Sequence, residues 1–186
     1  MTRIVAGRFG GRRLATPAGR DTRPSSDRVR EGLFSALAAR TDPVGARFAD
    51  LYAGSGAVGL EAVSRGAAHV LLVEAAPRAA RVARDNIATL GVQDTARVLV
   101  DQVERLVTRS PDRPYDVVFA DPPYTLGTEA VLTVLTLLVS ERWLADDAVV
   151  VVERSVRAAP LDWVAGITSD GVRRYGETAL WYGRHP

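Results

Sequence analysis

A polar motif that directly follows an apolar run is the first candidate for chemistry in this chain. Asp121-Pro122-Pro123-Tyr124 comes after Val117-Val118-Phe119-Ala120, a run typical of a strand covered on both faces. The carboxylate of Asp121 and the carbonyl of Pro122 are two acceptors, and the prolines stiffen the turn while removing backbone donors. Tyr124 can stack on a flat ring, a contact worth about 1–3 kcal/mol per base. The motif therefore predicts a site for a planar amine.

Transfer of a methyl group to an exocyclic nitrogen is the chemistry that these residue types suit. The amine of a nucleobase is a weak nucleophile because its lone pair is delocalised into the ring. Two acceptors aimed at its N–H groups favour a pyramidal nitrogen and stabilise the positive charge that develops. An acid followed by two prolines is also an ordinary turn sequence, so the motif alone leaves a purely structural role open. A second motif upstream leads us to assign Asp121, Pro122 and Tyr124 as the catalytic residues.

That second motif, Asp50-Leu51-Tyr52-Ala53-Gly54-Ser55-Gly56, predicts where a methyl donor binds. Gly54 to Gly59 matches the pattern G-x-G-x-x-G, and Glu74 lies twenty residues after Gly54. Such a loop lets a nucleotide approach the backbone at a helix N-terminus, while the distal acid accepts from ribose hydroxyls. Dinucleotide-binding proteins have the same pattern. Asp50 favours S-adenosylmethionine instead, because its carboxylate suits the ammonium of that cofactor, through water or the loop, and would repel a pyrophosphate.

Asp101, at the end of the third predicted strand, completes the expected cofactor site. It is placed to accept from the adenine amine, and it is equally suited to cap the helix expected at about 102–109. The expected cofactor-binding residues are Asp50, Tyr52, Ala53, Gly54, Gly56, Glu74 and Asp101. The expected cofactor is S-adenosylmethionine, with S-adenosylhomocysteine as the product.

Alternating strands and helices must bring these motifs together. Strands are expected at about 46–52, 69–74, 96–100, 115–120 and 148–154, and helices at about 57–66, 77–90, 102–109 and 127–142. Ser25-Ser26-Asp27 can cap a further helix whose apolar face carries Val29, Leu33, Ala36 and Leu37. This alternation predicts an α/β, Rossmann-like methyltransferase fold with a mostly parallel, doubly wound sheet.

Both ends of the chain depart from this alternation. The segment from Arg3 to Ala15 predicts a short N-terminal β-hairpin. Near the other end, Gly171–Tyr175 and Ala179–Gly183 flank Gly176-Glu177, which predicts a C-terminal antiparallel hairpin closing one edge of the sheet.

The charges are distributed unevenly along the chain. The chain contains no Lys, so all of its Lys/Arg-type positive charges are on Arg. Residues 1–40 hold nine Arg against three acids, a net charge of +6, whereas residues 41–186 hold fifteen Arg against nineteen acids, a net charge of −4. A basic arm before a mildly acidic body predicts a nucleic acid bound through the N-terminal part. The candidate RNA-binding residues are Arg3, Arg8, Arg12, Arg13, Arg23, Arg28 and Arg30. We divide the chain into an arm at 1–24 and a methyltransferase domain at 25–186, which together form one compact domain.

Composition argues against several other classes of protein. The chain of 186 residues has no Cys and only two His, so thiolate or histidine metal sites and a cysteine nucleophile are not expected. It has no apolar run long enough to span a bilayer and no hydrophobic signal region at its N-terminus. We expect a monomeric, cytoplasmic protein without a metal and without a membrane partner.

Five segments together resemble a known family. Ile4–Gly7, Arg23–Glu31, Asp50–Gly56, Asp121–Tyr124 and Tyr175–Thr178 resemble the RsmD family, whose members methylate N2 of a guanine in bacterial small-subunit (16S) ribosomal RNA. The resemblance covers nearly the whole chain, and the arginine-rich second segment is its most specific part. It implies S-adenosylmethionine as the donor and 16S rRNA in a partly or fully assembled small ribosomal subunit as the substrate.

Three other functions remain open from the residues themselves. Asp-Pro-Pro-Tyr also suits adenine, so a DNA adenine-N6 methyltransferase is the nearest alternative, although about 45 N-terminal residues are few for a target-recognition domain. A NAD(P)-binding oxidoreductase would share the glycine loop, and NAD rather than S-adenosylmethionine would then raise its melting temperature. A non-catalytic RNA-binding assembly factor would use only the basic arm, which the presence of Asp50, Asp121 and Tyr124 argues against.

Overall fold

The computed structural model describes residues 2–18 and 26–186, and its elements follow the predicted alternation. The strands in these ranges are β1 (Thr2–Arg3), β2 (Arg13–Leu14), β3 (Arg47–Leu51), β4 (His69–Val73), β5 (Ala96–Leu99), β6 (Tyr115–Ala120), β7 (Leu144–Ser155), β8 (Thr168–Tyr175) and β9 (Thr178–Arg184). The helices are α1 (Asp27–Ala38), α2 (Ala57–Ser64), α3 (Pro77–Leu90), α4 (Val103–Leu106) and α5 (Thr128–Ser140). The α/β class and both predicted hairpins are confirmed.

A seven-stranded sheet with the order β5-β4-β3-β6-β7-β9-β8 forms the centre of the molecule. The first five of these strands are parallel, and β9 runs antiparallel to both of its neighbours. The chain order reverses between β3 and β6, since β4 and β5 lie on one side of β3 while β6 and β7 lie on the other. Ligands of open α/β sheets bind outside the carboxyl ends of the strands at such a reversal.

Apolar layers cover both faces of the sheet. One layer packs α1, α2, α3 and the N-terminal arm against the sheet, and the other packs α4, α5 and the segment before β8. The central parallel strands β3, β4 and β6 are buried on both faces, which explains why their sequences are mostly apolar runs without alternation, whereas the edge strand β5 is partly exposed.

Helix α4 and strand β7 differ most in length from their predicted ranges. Helix α4 has only four residues, and the hydroxyl of Thr108 donates to the carbonyl of Arg105 at 2.7 Å, a local bond that competes with continued helical bonding. Strand β7 begins four residues earlier than expected, at Leu144. Asp146 and Asp147 interrupt its apolar pattern, and Asp147 has a φ of 61°, so the sequence hid the first part of the strand.

The N-terminal arm is docked onto the body through buried polar groups of two helices. The carboxylate of Glu61, fully buried on α2, accepts from the backbone N–H groups of Val5 at 2.7 Å and Ala6 at 3.0 Å. The hydroxyl of Ser64 donates to the Ala6 carbonyl at 2.6 Å. From α3, the Oδ1 of Asn86 accepts from the N–H of Ala15 at 2.8 Å. The arm therefore shares the core of the body, while the proposed boundary at residue 24 lies outside the described residues.

Within residues 2–18 and 26–186, no helix has both the length and the apolar character that crossing a bilayer requires.

Candidate active site

The two sequence motifs begin side by side at the carboxyl ends of adjacent parallel strands. Leu51 of β3 pairs with Val73 of β4 and with Ala120 of β6. The next residue along each of these strands is Tyr52, Glu74 or Asp121, so the glycine motif, its distal acid and the Asp-Pro-Pro-Tyr motif begin side by side.

The glycine loop has the conformation that a bound nucleotide needs. Gly54 and Gly56 have φ angles of 55° and 80°, in the left-handed region, and Gly56 is the N-cap of α2. The carboxylate of Glu74 fixes the loop by accepting from the N–H of Gly54 at 2.7 Å and from the N–H of Ala76 at 2.8 Å. Glu74 stays partly exposed, and a carboxylate has further lone pairs, so the expected contact with ribose hydroxyls is compatible with these bonds.

The two glycines of the loop differ in what surrounds them. A Cβ added to Gly54 would meet no atom within 4 Å, so the backbone there borders open space that a ligand can fill. A Cβ added to Gly56 would lie 2.7 Å from Cδ1 of Leu72 in the core. The Cβ position of Gly56 therefore faces the packing of α2 against β4, and contact of its backbone with the cofactor stays a prediction.

Asp50 is buried beneath the loop. Its side chain is 1% exposed, and its Oδ2 accepts from the N–H of Gly59 in the first turn of α2 at 2.9 Å. Burial raises the pKa of Asp50 to about 7 despite this hydrogen bond. Asp50 thus fastens the helix that follows the loop, and contact with the cofactor through the loop stays a prediction.

Tyr52 has an unusual backbone conformation directly after β3. Its φ is 65°, a left-handed value that is rare for a bulky residue and marks local strain. Its hydroxyl donates to Oε1 of Glu104 on α4 at 2.8 Å, and burial raises the pKa of the phenol. The N–H of the next residue, Ala53, donates to the carbonyl of Val73 at 2.9 Å. The turn that opens the glycine loop is therefore tied to two neighbouring elements.

Asp101 lies after β5 and forms hydrogen bonds with two residues that follow it in the chain. Its Oδ1 accepts from Nε of Arg105 at 2.7 Å and from the N–H of Gln102 at 2.8 Å. The hydrogen bond from Arg105 lowers the pKa of Asp101. The N-cap of α4 is Gln102, so the alternative that Asp101 is the capping residue is wrong, and its contact with adenine stays a prediction.

The Asp-Pro-Pro-Tyr motif forms an open turn at the end of β6. The N–H of Asp121 donates to the carbonyl of Leu51 at 3.3 Å, and the N–H of Leu126 donates to that of Pro123 at 2.9 Å. Asp121 is partly buried, whereas Tyr124 is 75% exposed and presents its ring to solvent. Burial, followed by the charges of Glu153 and Asp50, raises the pKa of Asp121 well above its ordinary value.

Three side chains that contribute to this edge were not predicted from the sequence. Glu104 accepts from Tyr52, Glu153 acts on Asp121 electrostatically, and Nη2 of Arg154 donates to the hydroxyl of Thr128 at 2.9 Å. The last bond joins the end of β7 to the start of α5, directly after the Asp-Pro-Pro-Tyr loop. Glu153 and Arg154 follow the apolar run Val149–Val152 near the carboxyl end of β7, and this position was the signal that could have found them.

Most of the candidate RNA-binding arginines that the structure describes are exposed. Arg3 pairs with Asp27 at 2.9 Å, Arg8 lies over the ring of Phe9, Nη2 of Arg12 donates to the carbonyl of Thr89 at 3.3 Å, and Arg13 and Arg28 face solvent. Arg23 lies outside the described residues. The exposed arginines keep charge available for a phosphate backbone.

Arg30 is the exception, and its assignment to RNA binding is wrong. Its side chain is fully buried, and its Nη2 donates to Asp27 at 2.6 Å and to the hydroxyl of Thr2 at 2.7 Å. It also lies 4.0 Å from the buried carboxylate of Glu61. Residues two apart on a helix point about 200° apart, so Arg28 and Arg30 cannot both face one ligand. Arg30 stabilises the contact between α1, the arm and α2.

Asn86 joins the arm to the glycine loop. Its Nδ2 donates to the carbonyls of Ala15 and Ser55, each at 3.0 Å, while its Oδ1 accepts from the N–H of Ala15. Ser55 lies between the two glycines of the loop. A single buried amide therefore connects the basic segment with the expected cofactor site.

The carboxyl edge of the sheet has features that suit an adenosine-containing ligand. Among the described residues, no group of three or more His, Cys, Asp or Glu side chains is arranged to hold a metal ion. The open space at Gly54, the N-terminus of α2 and the partly exposed Glu74 form the cradle that S-adenosylmethionine requires.

Comparison with known proteins agrees with this arrangement. Residues 2–184 match the model of a family described as conserved hypothetical protein 95. The chain is 37% identical over 165 residues to ribosomal RNA small subunit methyltransferase D of Escherichia coli, covering 87% of this chain and 80% of that protein. The same protein of Haemophilus influenzae is 33% identical over 155 residues, covering 81% of this chain and 77% of the relative.

Solved structures extend the similarity to three dimensions. The Escherichia coli protein yhhF superposes with a TM-score of 0.86 at 34% identity, covering 99% of this chain and 97% of that one. Magnesium protoporphyrin IX methyltransferase of Synechocystis, solved with bound S-adenosylmethionine, superposes with a TM-score of 0.66 at 14% identity, covering 86% of this chain and 79% of that one. The second similarity supports the fold alone.

Proposed function

The chain belongs to the RsmD family, and we propose that it transfers a methyl group from S-adenosylmethionine to the exocyclic N2 of a guanine in 16S rRNA. The observation that carries the proposal is the alignment of two motifs at one sheet edge. The glycine loop after β3 and Asp121 after the adjacent β6 start at the same level, so a donor and an acceptor base can meet there.

The cofactor side of the site is built from backbone and carboxylate groups. When bound, S-adenosylmethionine supplies an activated methyl group on a sulfonium. Glu74 orients the loop at Gly54 and has lone pairs left for ribose hydroxyls. Asp101 is held after β5 for the adenine amine, and the ionised form of Asp50 gives the region a negative charge that favours a cationic ligand.

On the acceptor side, the residues of the Asp-Pro-Pro-Tyr turn bind and orient the target amine. The exposed ring of Tyr124 is available for stacking on a base that has left its helix. Asp121 and the carbonyl of Pro122 accept from the amine and stabilise the charge that develops on nitrogen. The methylated amine is acidic and loses its proton to water, so Asp121 need not be a strong base.

The substrate is ribosomal RNA within a partly or fully assembled small subunit, held mainly by the basic arm. The exposed arginines proposed to contact its phosphates are Arg3, Arg8, Arg12, Arg13 and Arg28, with Arg23 added from the sequence. We propose that residues 1–24 act as this arm on a methyltransferase domain at 25–186. A monomer acting in the cytoplasm, without a metal, fits a small RNA-modifying enzyme of this design.

The test is a methylation assay followed by mapping of the product. Labelled S-adenosylmethionine is incubated with the protein and with small subunits from cells that lack the modification, and the RNA is then digested to nucleosides. We expect label in N2-methylguanosine at one position. Label in N6-methyladenosine, or on DNA in preference to RNA, would support the adenine alternative, and thermal stabilisation by NAD would support an oxidoreductase.

A further inference from the structure

The turn of the C-terminal hairpin has no role in the reaction described so far. Tyr175 pairs with Thr178 across this turn, and Thr178 pairs with Ser155 at the end of β7. Strand β8 therefore runs in the direction of the parallel strands, and the turn lies at their carboxyl edge, as the Asp-Pro-Pro-Tyr turn does. Neighbouring strands are about 4.8 Å apart, so β9 and β8, two and three strands from β6, lie about 10 and 14 Å from it.

Positive charge is concentrated at this end of the hairpin, which we call the hairpin tip and define as residues 154–157 and 173–177. These residues include four Arg and one acid, a net charge of +3, although residues 41–186 as a whole have a net charge of −4. Arg173 and Arg174 are exposed at the end of β8. The hairpin tip is thus a basic patch within an acidic body.

The loop after β7 brings a third exposed arginine to the patch. The N–H of Val156 donates to the carbonyl of Glu177 at 3.0 Å, which fixes the loop beside the turn. Arg157 pairs with the carboxylate of Glu177 at 3.2 Å, and the two side chains are 82% and 65% exposed. An ion pair as exposed as this one is weak, so a phosphate can compete for Arg157.

The two adjacent arginines of β8 project from opposite faces of the sheet. Directly paired residues of antiparallel strands share a face, and successive residues alternate between faces. Arg173 pairs with Leu180, which belongs to the layer of α1, α2 and α3, so Arg174 and its partner Ala179 lie on the other face. Positive charge on both faces suits a polyanion that crosses the edge of the sheet.

Helix α1 brings a further exposed arginine to the same edge. A Cβ added to Gly32 would lie 2.4 Å from the ring of Tyr175, so the middle of α1 packs against the end of β8. Beyond the other end of the helix, Nε of Arg40 donates to Asp170 near the start of β8 at 2.9 Å. The helix therefore begins at the carboxyl edge, and Arg28 in its first turn extends the positive charge from the hairpin tip towards the arm.

We propose that Arg157, Arg173 and Arg174 of the hairpin tip bind phosphates of the rRNA segment next to the target guanine. This inference rests on the proposed methylation of rRNA and adds a second RNA surface to the arm. In the order of the sheet, the turn after β6 lies between the hairpin tip and the helices α2 and α3, which hold the arm. Phosphate contacts set the register and orientation of a nucleic acid, so two surfaces flanking Tyr124 hold the strand while one base enters the turn.

The absence of Cys from the chain permits a direct test by tethered cleavage. Glu177→Cys introduces one thiol at the hairpin tip and leaves its arginines in place, and Ser110→Cys introduces one at an exposed site before β6, at the amino edge. Fe(II)–EDTA is attached to each thiol, binding of each protein to unmethylated small subunits is verified, and hydroxyl radicals are then generated. We expect Glu177→Cys to direct cleavage of the rRNA segment next to the methylated guanine, and the control to leave that segment intact. Cleavage confined to other regions, or equal from both sites, overturns the proposal.

Substitution of the arginines measures the contribution of the contacts. We expect the double variant Arg173→Ala, Arg174→Ala to bind small subunits at least about tenfold more weakly, and its salt dependence of log K to fall by about 0.7–0.9 for each lost contact. The matched control, Arg109→Ala with Arg113→Ala, removes two exposed charges before β6 and should change both quantities much less. Equal losses in the two double variants overturn the proposal. A loss of affinity without RNA cleavage from Glu177→Cys also overturns it, because the hairpin tip would then contact a protein of the subunit.

Failure of the inference differs from failure of the proposed function. If the wild-type protein methylates guanine N2 and the hairpin-tip variants behave as their controls do, the proposed function holds and only the RNA contact of the hairpin tip is lost. If the wild-type protein does not methylate the small subunits at N2, the proposed function is wrong and the inference falls with it.

Discussion

Asp121 combines two properties. It lies in the same turn as the exposed Tyr124, and the ionised form of its carboxyl group is unfavourable in the unliganded protein. Burial and the neighbouring carboxylates disfavour the ionised form. A positively charged amine developing beside it would remove part of this penalty, and this difference between ground state and transition state is what accelerates a reaction.

We expect Asp121→Ala to lower the rate of methyl transfer about 100- to 1000-fold, the usual loss when one preorganised electrostatic partner is removed. The affinity for S-adenosylmethionine should change little, because Asp121 serves the acceptor. Single-turnover assays and calorimetry measure the two quantities. Asp94→Ala, which removes an exposed acid before β5, is the control. Near-normal turnover of Asp121→Ala would contradict its assignment.

Gly54 offers a clean probe of the cofactor site. We expect Gly54→Ala to weaken binding of S-adenosylmethionine, because the added methyl group enters the open space beside the loop. Gly91→Ala is a matched control, since Gly91 also has a left-handed φ, of 68°, and open surroundings, but ends α3 away from the site. Both variants should lose about 1–2 kcal/mol of stability. Equal cofactor affinity in the two variants, measured by calorimetry, would place the cofactor elsewhere.

The identity of these residues could be predicted from the sequence, but their partners could not. Glycines after a strand and an acid twenty positions later indicate a nucleotide loop. Whether the Cβ position of Gly54 or Gly56 borders open space depends on the path of the backbone and on Leu72, which is distant in sequence. In the same way, the burial of Arg30 depends on the placement of Glu61 across the layer.

At the scale of secondary structure elements, Asp50 joins β3 to the start of α2 at an electrostatic cost. Its pKa in the folded protein is about 7, above the value of 3.8 that an exposed carboxyl has. Between these two pH values the folded state binds more protons than the unfolded state, so stability falls as pH rises. Each pKa unit corresponds to about 1.4 kcal/mol.

We therefore expect Asp50→Asn to be more stable than the wild-type protein above pH 7, by a few kcal/mol, and to lose this advantage near pH 4. The asparagine oxygen can still accept from the N–H of Gly59. Urea denaturation of both proteins at several pH values measures the difference. A difference in unfolding free energy that does not vary with pH would mean that Asp50 is not the titrating group.

The elements themselves were largely predictable, because parallel strands buried on both faces are long apolar runs. The early part of β7 was not, since Asp146 and Asp147 break its pattern and a bulge in the ladder with β6 absorbs the irregularity. The end of α4 also depended on a local side-chain bond. The bulge, in contrast, depends on contacts between two strands that no single window of sequence contains.

At the scale of the whole molecule, the basic arm and the catalytic edge form one structure. The charge asymmetry along the chain predicts that RNA binds at the arm, but it did not reveal that the arm is held by Glu61 and Asn86. Removing residues 1–20 is therefore a poor test of RNA binding. It would leave the buried carboxylate of Glu61 without its backbone donors and disturb the loop that Asn86 contacts.

Point substitutions of exposed arginines avoid this difficulty. We expect Arg8→Ala, Arg12→Ala and Arg13→Ala together to weaken RNA binding and to reduce the salt dependence of log K by about 0.7–0.9 for each lost phosphate contact. Binding of S-adenosylmethionine should persist. The charge-matched control changes Arg109, Arg113 and Arg142, exposed near the amino ends of β6 and β7. An equal loss of RNA affinity in both triple variants would mean that the affinity depends only on the net charge of the protein.

The docking of the arm by Glu61, Ser64 and Asn86 has a consequence for how the protein is made. Val5 is synthesised 56 positions before Glu61, which is about 3–11 s at ordinary rates of translation. During that interval the emerging arm has no anchor, and its last anchor, Asn86, arrives later still. The arm therefore gains its last anchor only after β3, β4 and most of α3 have been synthesised. A chain that stalls before residue 61 would carry the arm with none of these three partners.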